Sequence, residues 1–344
     1  MNFSSYMTQW LYGPNGYYTR ERDIGKKGDF YTAVSTSIFF GGSIAKRLIS
    51  TIESGFLSSH CCVVEIGAHK GYLLADIIQF LYTLKPSLLE TLTFYIVEPF
   101  EANQLMQERY FKEAFGETIK LLHLKSLDEL SCKEAFFVAN EIFDAFACEV
   151  IYDDKMLVVD ENSQLIFCPI DAPTNELAIR HSVIKGEIAI GYESFARAMA
   201  KGSERYEFVT FDYGDKVARN DFSLRVYAEQ KVYPFFALTP LVADESLREP
   251  ISFKSLFGKS DITYDVNFSH LIDAYEQNGA LLHQYTTQMT ALVEFGLIEL
   301  LEMLYANVSK ENYEKEANKV KILIDPAFMG ERFKMACFRK NKGK

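Results

Sequence analysis

Residues 61–72 read Cys-Cys-Val-Val-Glu-Ile-Gly-Ala-His-Lys-Gly-Tyr, a short apolar run that ends in Glu65 and is followed by two glycines four apart, Gly67 and Gly71. Leu73, Leu74, Ile77, Ile78, Leu81 and Leu84 then recur at helical spacing as far as Pro86. The stretch therefore reads as strand, tight turn and amphipathic helix. A ligand at the carboxyl end of such a strand meets free backbone N–H groups, a glycine that permits close approach, and the Glu65 carboxylate. A two-glycine turn by itself also serves α/β proteins that bind no cofactor. A second run, Leu92 to Val97, is β-branched and aromatic and stops at Glu98, the position from which an acid grips the hydroxyls of a nucleoside ribose. NAD and S-adenosylmethionine (SAM) both carry that ribose. Glu65 separates them, because a carboxylate repels a pyrophosphate, whereas SAM has a sulfonium, an ammonium and no phosphate.

A third strand end carries acids as well. Glu134 to Ala139 reads as a buried strand leading into Asn140-Glu141-Ile142-Phe143-Asp144. Two carboxylates and an amide just past a strand end share the edge that holds Glu65 and Glu98, where they could orient a cation or accept a proton. The same acids would also suit the first turn of a helix. Tyr206 to Phe211 is a further core strand, and it exits through Asp212-Tyr213-Gly214.

The whole chain must position these ends. Its 344 residues, 48% of them hydrophobic, suffice for one large domain with an embedded subdomain or for two domains. A formal net charge of −11 argues against nucleic-acid binding, which needs a basic face, and the short basic end at Arg339, Lys340, Lys342 and Lys344 reads as a solvated tail. No stretch approaches the ~18 apolar residues of a membrane span, and the first residues lack a signal pattern, so a cytoplasmic protein without membrane insertion is expected. Cys61, Cys62, Cys132, Cys148, Cys168 and Cys337 form no CxxC pair and read as reduced thiols. His69 has no His or Cys at ligand spacing, so no metal site is expected.

The order of elements suggests four parts. Residues 1–55 are a Tyr-rich cap followed by a helix, with turns at Gly13-Pro14-Asn15-Gly16 and Gly28-Asp29 and with Gly41-Gly42 weakening the helix. Residues 56–148 hold the first part of a Rossmann-like core. Residues 149–205 carry a β-meander over Glu149 to Ile170 and a helix near 191–202. Residues 206–344 complete the core, with a substrate-side insertion at about 215–305. Helices are expected over Asn267 to Gln277 and Gln288 to Leu304, and a closing antiparallel pair over Val320 to Ile324 and Phe333 to Phe338.

Several separated stretches together resemble one family: GYYT (16–19), IGKKGDFYT (24–32), VEIGAHKGYLLADII (64–78), VANEIFDAF (138–146), FDYG (211–214), SLRVY (223–227), DITYDVNF (261–268), TTQ (286–288) and DPAFMGERFKMACF (325–338). In order and content they are similar to the MidA-like class I SAM-dependent methyltransferases, over nearly the whole chain. The resemblance implies a class I methyltransferase sheet with an N-terminal cap and an inserted β-rich and helical subdomain. It implies SAM as cofactor and methylation of a protein arginine, since mitochondrial members are implicated in assembling respiratory complex I by methylating arginine in one of its subunits. Implied partners are thus a protein substrate, a complex I subunit among them; a homodimer is a separate expectation that the resemblance does not supply. Matched residue by residue, Glu65, Gly67 and Gly71 would hold the amino-acid end of SAM and Glu98 the ribose. Leu127 and Asp128 would lie near the adenine, and Gly28 and Asp29 would close over the cofactor. Asn140, Glu141 and Asp144, which match the family's NE-x-x-D, would face the transferred methyl.

The chain departs from the family at the glycine loop. The usual Gly-Pro-Gly-x-Gly is Gly67-Ala68-His69-Lys70-Gly71, so His69 replaces the middle glycine, and a side chain there costs about 1 kcal/mol if the backbone needs φ > 0. Two acids expected after GDF are replaced by Ala33-Val34-Ser35 and Gly41-Gly42. These losses motivate a rival expectation, a non-catalytic assembly scaffold of the same fold. A third, a small-molecule methyltransferase, differs in acceptor alone.

Overall fold

The strand that carries Glu65 is buried along its whole length, as a parallel strand covered on both faces must be. The computed structural model describes residues 1–19, 32–228, 230–242 and 244–342. Besides a two-residue side strand, Val266–Asn267, the strands of the large sheet are β1 (Cys62–Ile66), β2 (Thr93–Val97), β3 (Leu121–Leu124), β4 (Cys132–Asn140), β5 (Ser203–Asp215), β6 (Leu281–Thr287) and β7 (Phe333–Lys340). They lie in the order β3-β2-β1-β4-β5-β7-β6. The pairs β1/β2, β2/β3, β1/β4 and β4/β5 are parallel, and β6/β7 is antiparallel. Ile66 is in register with Val97 on one side and Ala139 on the other. Gly67, Glu98 and Asn140 therefore leave the sheet side by side at its carboxyl edge.

The chain divides into two compact units, Tyr31–Ile142 with Glu193–Asp212 and Ala274–Lys344, and Met1–Phe30 with Phe143–Tyr192 and Tyr213–Asp273. In the first, which holds the large sheet, helix Phe39–Glu53 runs unbroken through Gly41-Gly42. A Cβ at Gly41 would sit 2.5 Å from Asp76 Cβ, and one at Gly42 2.8 Å from the Phe80 ring. The glycines that weaken the helix in isolation thus allow it to pack closely on helix Tyr72–Leu84. The middle of β5 holds a fully buried acid, Glu207. It accepts hydrogen bonds from Arg47 Nε at 2.7 Å, Arg47 Nη2 at 3.1 Å, Thr51 Oγ1 at 2.9 Å and Arg339 Nε at 2.7 Å, so helix Phe39–Glu53 and β7 are tied to the sheet through one carboxylate.

Two expected elements are corrected. Val320 to Ile324 is the end of helix Lys310–Ile324, and the antiparallel partner of β7 is β6. A short apolar run has no period of its own to separate strand from helix. Here the helical face shows in the burial of Val320 and Leu323, three apart, while Ile322 points outward. The span from Gln288 to Leu304 is two helices, Gln288–Glu294 and Leu297–Asn307, parted at Gly296 with φ 89°.

The second unit contains the expected meander. Strands Leu165–Pro169, Lys155–Val159, Cys148–Tyr152 and Lys185–Ala189 are neighbours in that order, and the three pairs are antiparallel. A three-stranded sheet, Lys231–Pro234, Arg225–Ala228 and Asp261–Thr263, adds to it. Helix Phe3–Tyr12 buries Phe3, Tyr6, Met7, Trp10 and Leu11, one helical stripe, and Trp10 Nε1 donates to Ser260 O at 2.7 Å. Among the described residues no helix is long and apolar enough to cross a membrane.

Candidate functional site

The turn after β1 is closed by left-handed residues, Gly67 at φ 72°, His69 at 47° and Gly71 at 77°. A Cβ at Gly67 would stand 2.7 Å from Ile142 Cγ2, so this position needs glycine for space as well as conformation. Glu65 is buried, and its Oε2 accepts the Leu74 N–H at 3.0 Å, which satisfies one of the orphan donors in the first turn of helix Tyr72–Leu84. Burial pushes the Glu65 carboxyl up to about 8, against the pull of that hydrogen bond.

His69 sits in the conformation that makes a glycine useful. Substitution His69→Gly is expected to raise stability by about 1 kcal/mol, the usual strain of a side chain in this region. Thermal unfolding checks this, and an unchanged or lowered midpoint would show that the turn carries no strain.

Sequence reasoning missed Gln107. It is fully buried; its Nε2 donates to His69 O at 2.7 Å and lies 3.5 Å from Glu98 Oε2, and its Oε1 meets His123 Nε2 at 2.8 Å. One amide thereby joins the glycine turn, the acid after β2 and strand β3. The available signal was a polar residue on the core side of helix Glu101–Phe115, four before buried Phe111. Glu98 is itself buried, and its Oε1 accepts the Phe100 N–H at 2.9 Å. Burial pushes its carboxyl up, and hydrogen bonds from Phe100, Asn103 and Gln107 oppose the shift. Leu127 and Asp128 lie in a single helical turn past β3, Leu127 buried and Asp128 exposed. Gly28 and Asp29 lie outside the described residues.

At the end of β4, Glu141 has a left-handed backbone, φ 54°, a strain of about 1–3 kcal/mol of the kind that collects at functional sites. It is held there by its N–H donating to Phe211 O at 2.8 Å, and its Oε1 accepts from Asn140 Nδ2 at 2.7 Å and from the Ala33 N–H at 3.3 Å. Asn140 Oδ1 is buried with no hydrogen-bond partner among the described residues, an acceptor that a donor-bearing ligand would satisfy. The sheet unit thus offers a glycine turn, a buried acid at Glu98 suited to a diol, and a waiting acceptor at Asn140.

Asp144, three residues after Glu141, belongs to the other unit. It is buried; Oδ2 accepts a short hydrogen bond from the Tyr213 hydroxyl, and its main-chain oxygen accepts the Tyr264 N–H at 3.2 Å. Burial pushes its carboxyl up to about 6, with the Tyr213 hydrogen bond and the Arg225 charge pulling the other way.

This strand order, with ligand-ready groups at the carboxyl edge, defines a class I methyltransferase fold. A crystal structure from Burkholderia thailandensis, described as a likely methyl transferase bound to S-adenosyl-homocysteine, shares it at a TM-score of 0.80 and 22% identity, over 100% of this chain and 89% of that one. The model of a family described as putative S-adenosyl-L-methionine-dependent methyltransferases matches residues 43–286, and the chain belongs to that family. Its cofactor is SAM. Among curated relatives, the mitochondrial protein arginine methyltransferase NDUFAF7 homolog of Drosophila melanogaster is 24% identical over 96% of this chain and 79% of its own length. The mitochondrial protein arginine methyltransferase NDUFAF7 of Homo sapiens is 23% identical over 96% of this chain and 78% of its own.

Proposed function

We propose that the chain methylates an arginine side chain of a protein. The observation that carries this reading is the pair of acids after β4, Glu141 on a strained backbone braced by Asn140 and Asp144 buried three residues on. The relatives named as protein arginine methyltransferases support it. A respiratory complex I subunit is the acceptor that the resemblance names, and a net charge of −11 suits a basic target segment.

Glu65, Gly67 and Gly71 would hold the amino-acid end of SAM, with Asn140 Oδ1 taking a donor, Glu98 the ribose hydroxyls, and Leu127 and Asp128 the side of the adenine. Bound SAM supplies an electrophilic methyl on a sulfonium sulfur. A protonated guanidinium has its lone pairs delocalised, so carboxylates must fix its plane, localise its charge and remove a proton. As the acceptor nitrogen takes the methyl that SAM would supply, leaving S-adenosylhomocysteine, the Asp144 carboxylate would receive the Nη proton. Positioning by Glu141 and Asn140 accounts for much of the remaining rate.

The test is to incubate the protein with tritiated SAM and a protein extract, hydrolyse the labelled polypeptides, and separate the amino acids. Label in methylarginine is expected. Label confined to another amino acid, or to small molecules, would overturn the arginine reading.

Glu65 adds a pH dependence. A carboxyl raised to about 8 is neutral below that pH and costs folding stability progressively from about pH 4.3, its ordinary value, upward. A cationic ligand favours the ionised form, so SAM affinity should rise by up to about tenfold per pH unit between pH 6 and 8. Calorimetric titrations at several pH values check this; a flat profile in the natural protein, or the same slope in Glu65→Gln, would remove Glu65 from the ligand's cation.

A further inference from the structure

Four of the stretches that carry the family resemblance meet at one side chain that the reading above leaves idle. Tyr213, from FDYG, gives its hydroxyl to Asp144 Oδ2, from NE-x-x-D. The same hydroxyl lies 2.7 Å from Thr263 Oγ1, from DITYD. The guanidinium of Arg225, from SLRVY, stands 4.4 Å from the centre of the Tyr213 ring. Arg225 and Thr263 are register partners on adjacent strands, so one rung of the three-stranded sheet grips Tyr213 at its ring and at its hydroxyl. Arg225 is pinned in turn by Asp265 Oδ1 at 2.6 Å, Ser223 O at 3.2 Å and the Tyr227 hydroxyl at 3.2 Å.

We propose that Tyr213, braced by Thr263 and Arg225, is a positioning residue that orients Asp144 and lets it take up the acceptor's proton without losing its hydrogen bond. The proposal rests on the reading that Asp144 is that proton's acceptor. Tyr213 has one hydroxyl proton. While Asp144 is ionised, Tyr213 donates to it and Thr263 donates to the tyrosine oxygen. Once Asp144 holds the proton, the chain reverses, with the carboxyl donating to Tyr213 and Tyr213 to Thr263. Both charge states are satisfied, as a group that must cycle between them requires. The other groups facing Asp144 do not serve this purpose. Burial holds the hydroxyls of Tyr12, Tyr18 and Tyr264 protonated, and Asp261 is engaged by the Tyr18 hydroxyl at 3.0 Å from each of its oxygens.

Two measurements on the full chain test this. In the first, Asp144 is titrated by carboxyl ¹³C NMR, its signal identified by Asp144→Asn. The carboxyl of the natural protein should titrate above the ordinary aspartate value, near 6. Tyr213→Phe should raise it by about one further pH unit, the scale of a lost hydrogen bond to the charged form, and Thr263→Val should raise it by less. In the second, the pH profile of methyl transfer to the arginine acceptor found by labelling is compared across the same variants. Its acid limb should move up with the NMR value, lowering kcat about fivefold at pH 6 and little at pH 9 in Tyr213→Phe, while SAM affinity holds. An Asp144 titration that stays in place in both variants would overturn the proposal. If Tyr213→Phe loses SAM binding through misfolding, Thr263→Val decides. A fixed acid limb with a moved NMR value would also overturn it. Should Asp144→Asn keep full activity, the reading of Asp144 fails instead, and the NMR shift tells the two failures apart.

Discussion

Glu141→Gln and Asp144→Asn each lower methyl transfer by about 10²–10⁴-fold, the usual range for a positioned acid or base, and leave SAM binding nearly intact. The separation follows from where the groups sit. The cofactor-side features are the turn after β1, Glu98 and Asn140, which the register places together at the sheet edge. Glu141 keeps its backbone fold through its own N–H to Phe211, so an amide at its side chain changes charge and not the path of the chain. Asp144 is buried beside Tyr213, and an amide there can still accept the tyrosine's hydrogen bond while being unable to take a proton. Single-turnover methyl transfer with calorimetric SAM titration measures both halves. Full activity in either variant would remove that acid from the chemistry.

The largest loss of stability is expected from Glu207→Ala. Removing one partner of a buried ion pair costs about 3–5 kcal/mol, because the remaining charge stays behind unpaired. Here two guanidinium groups are left, Arg47 and Arg339, with the Thr51 hydroxyl. Both arginines keep some contact with solvent, so the expected loss is at the lower end, about 3 kcal/mol in urea unfolding. A loss below about 1 kcal/mol would match an exposed pair and show that both arginines rehydrate freely.

Much of the parallel part of the sheet was legible because three of its strands are apolar runs that stop at acids or an amide. The runs ending at Glu65, Glu98 and Asn140 are β1, β2 and β4, and the register shows them leaving the sheet together. Val320 to Ile324 was misread because five apolar residues satisfy either period, and only packing assigned them to a helix. The role of Gln107 was hidden for a different reason. Its partners, His69, Glu98 and His123, come from three separate parts of the chain, and no local pattern connects them. Tyr213 was visible as part of a strand exit, yet its link to Asp144 depends on a fold that brings residues 69 apart into one hydrogen bond. His69 was legible as a departure, and the structure gives it the positive φ that the departure implied.

The most direct test of the account is calorimetric titration of the purified protein with SAM, with S-adenosylhomocysteine in parallel, in the natural chain and in Gly67→Val. Saturable binding of both ligands to the natural chain is predicted, together with its loss in Gly67→Val, where the new side chain meets Ile142 and the backbone is held at φ 72°. Binding that survives Gly67→Val in a folded protein, or no binding of either ligand to the natural chain, would contradict a cofactor site at the turn after β1.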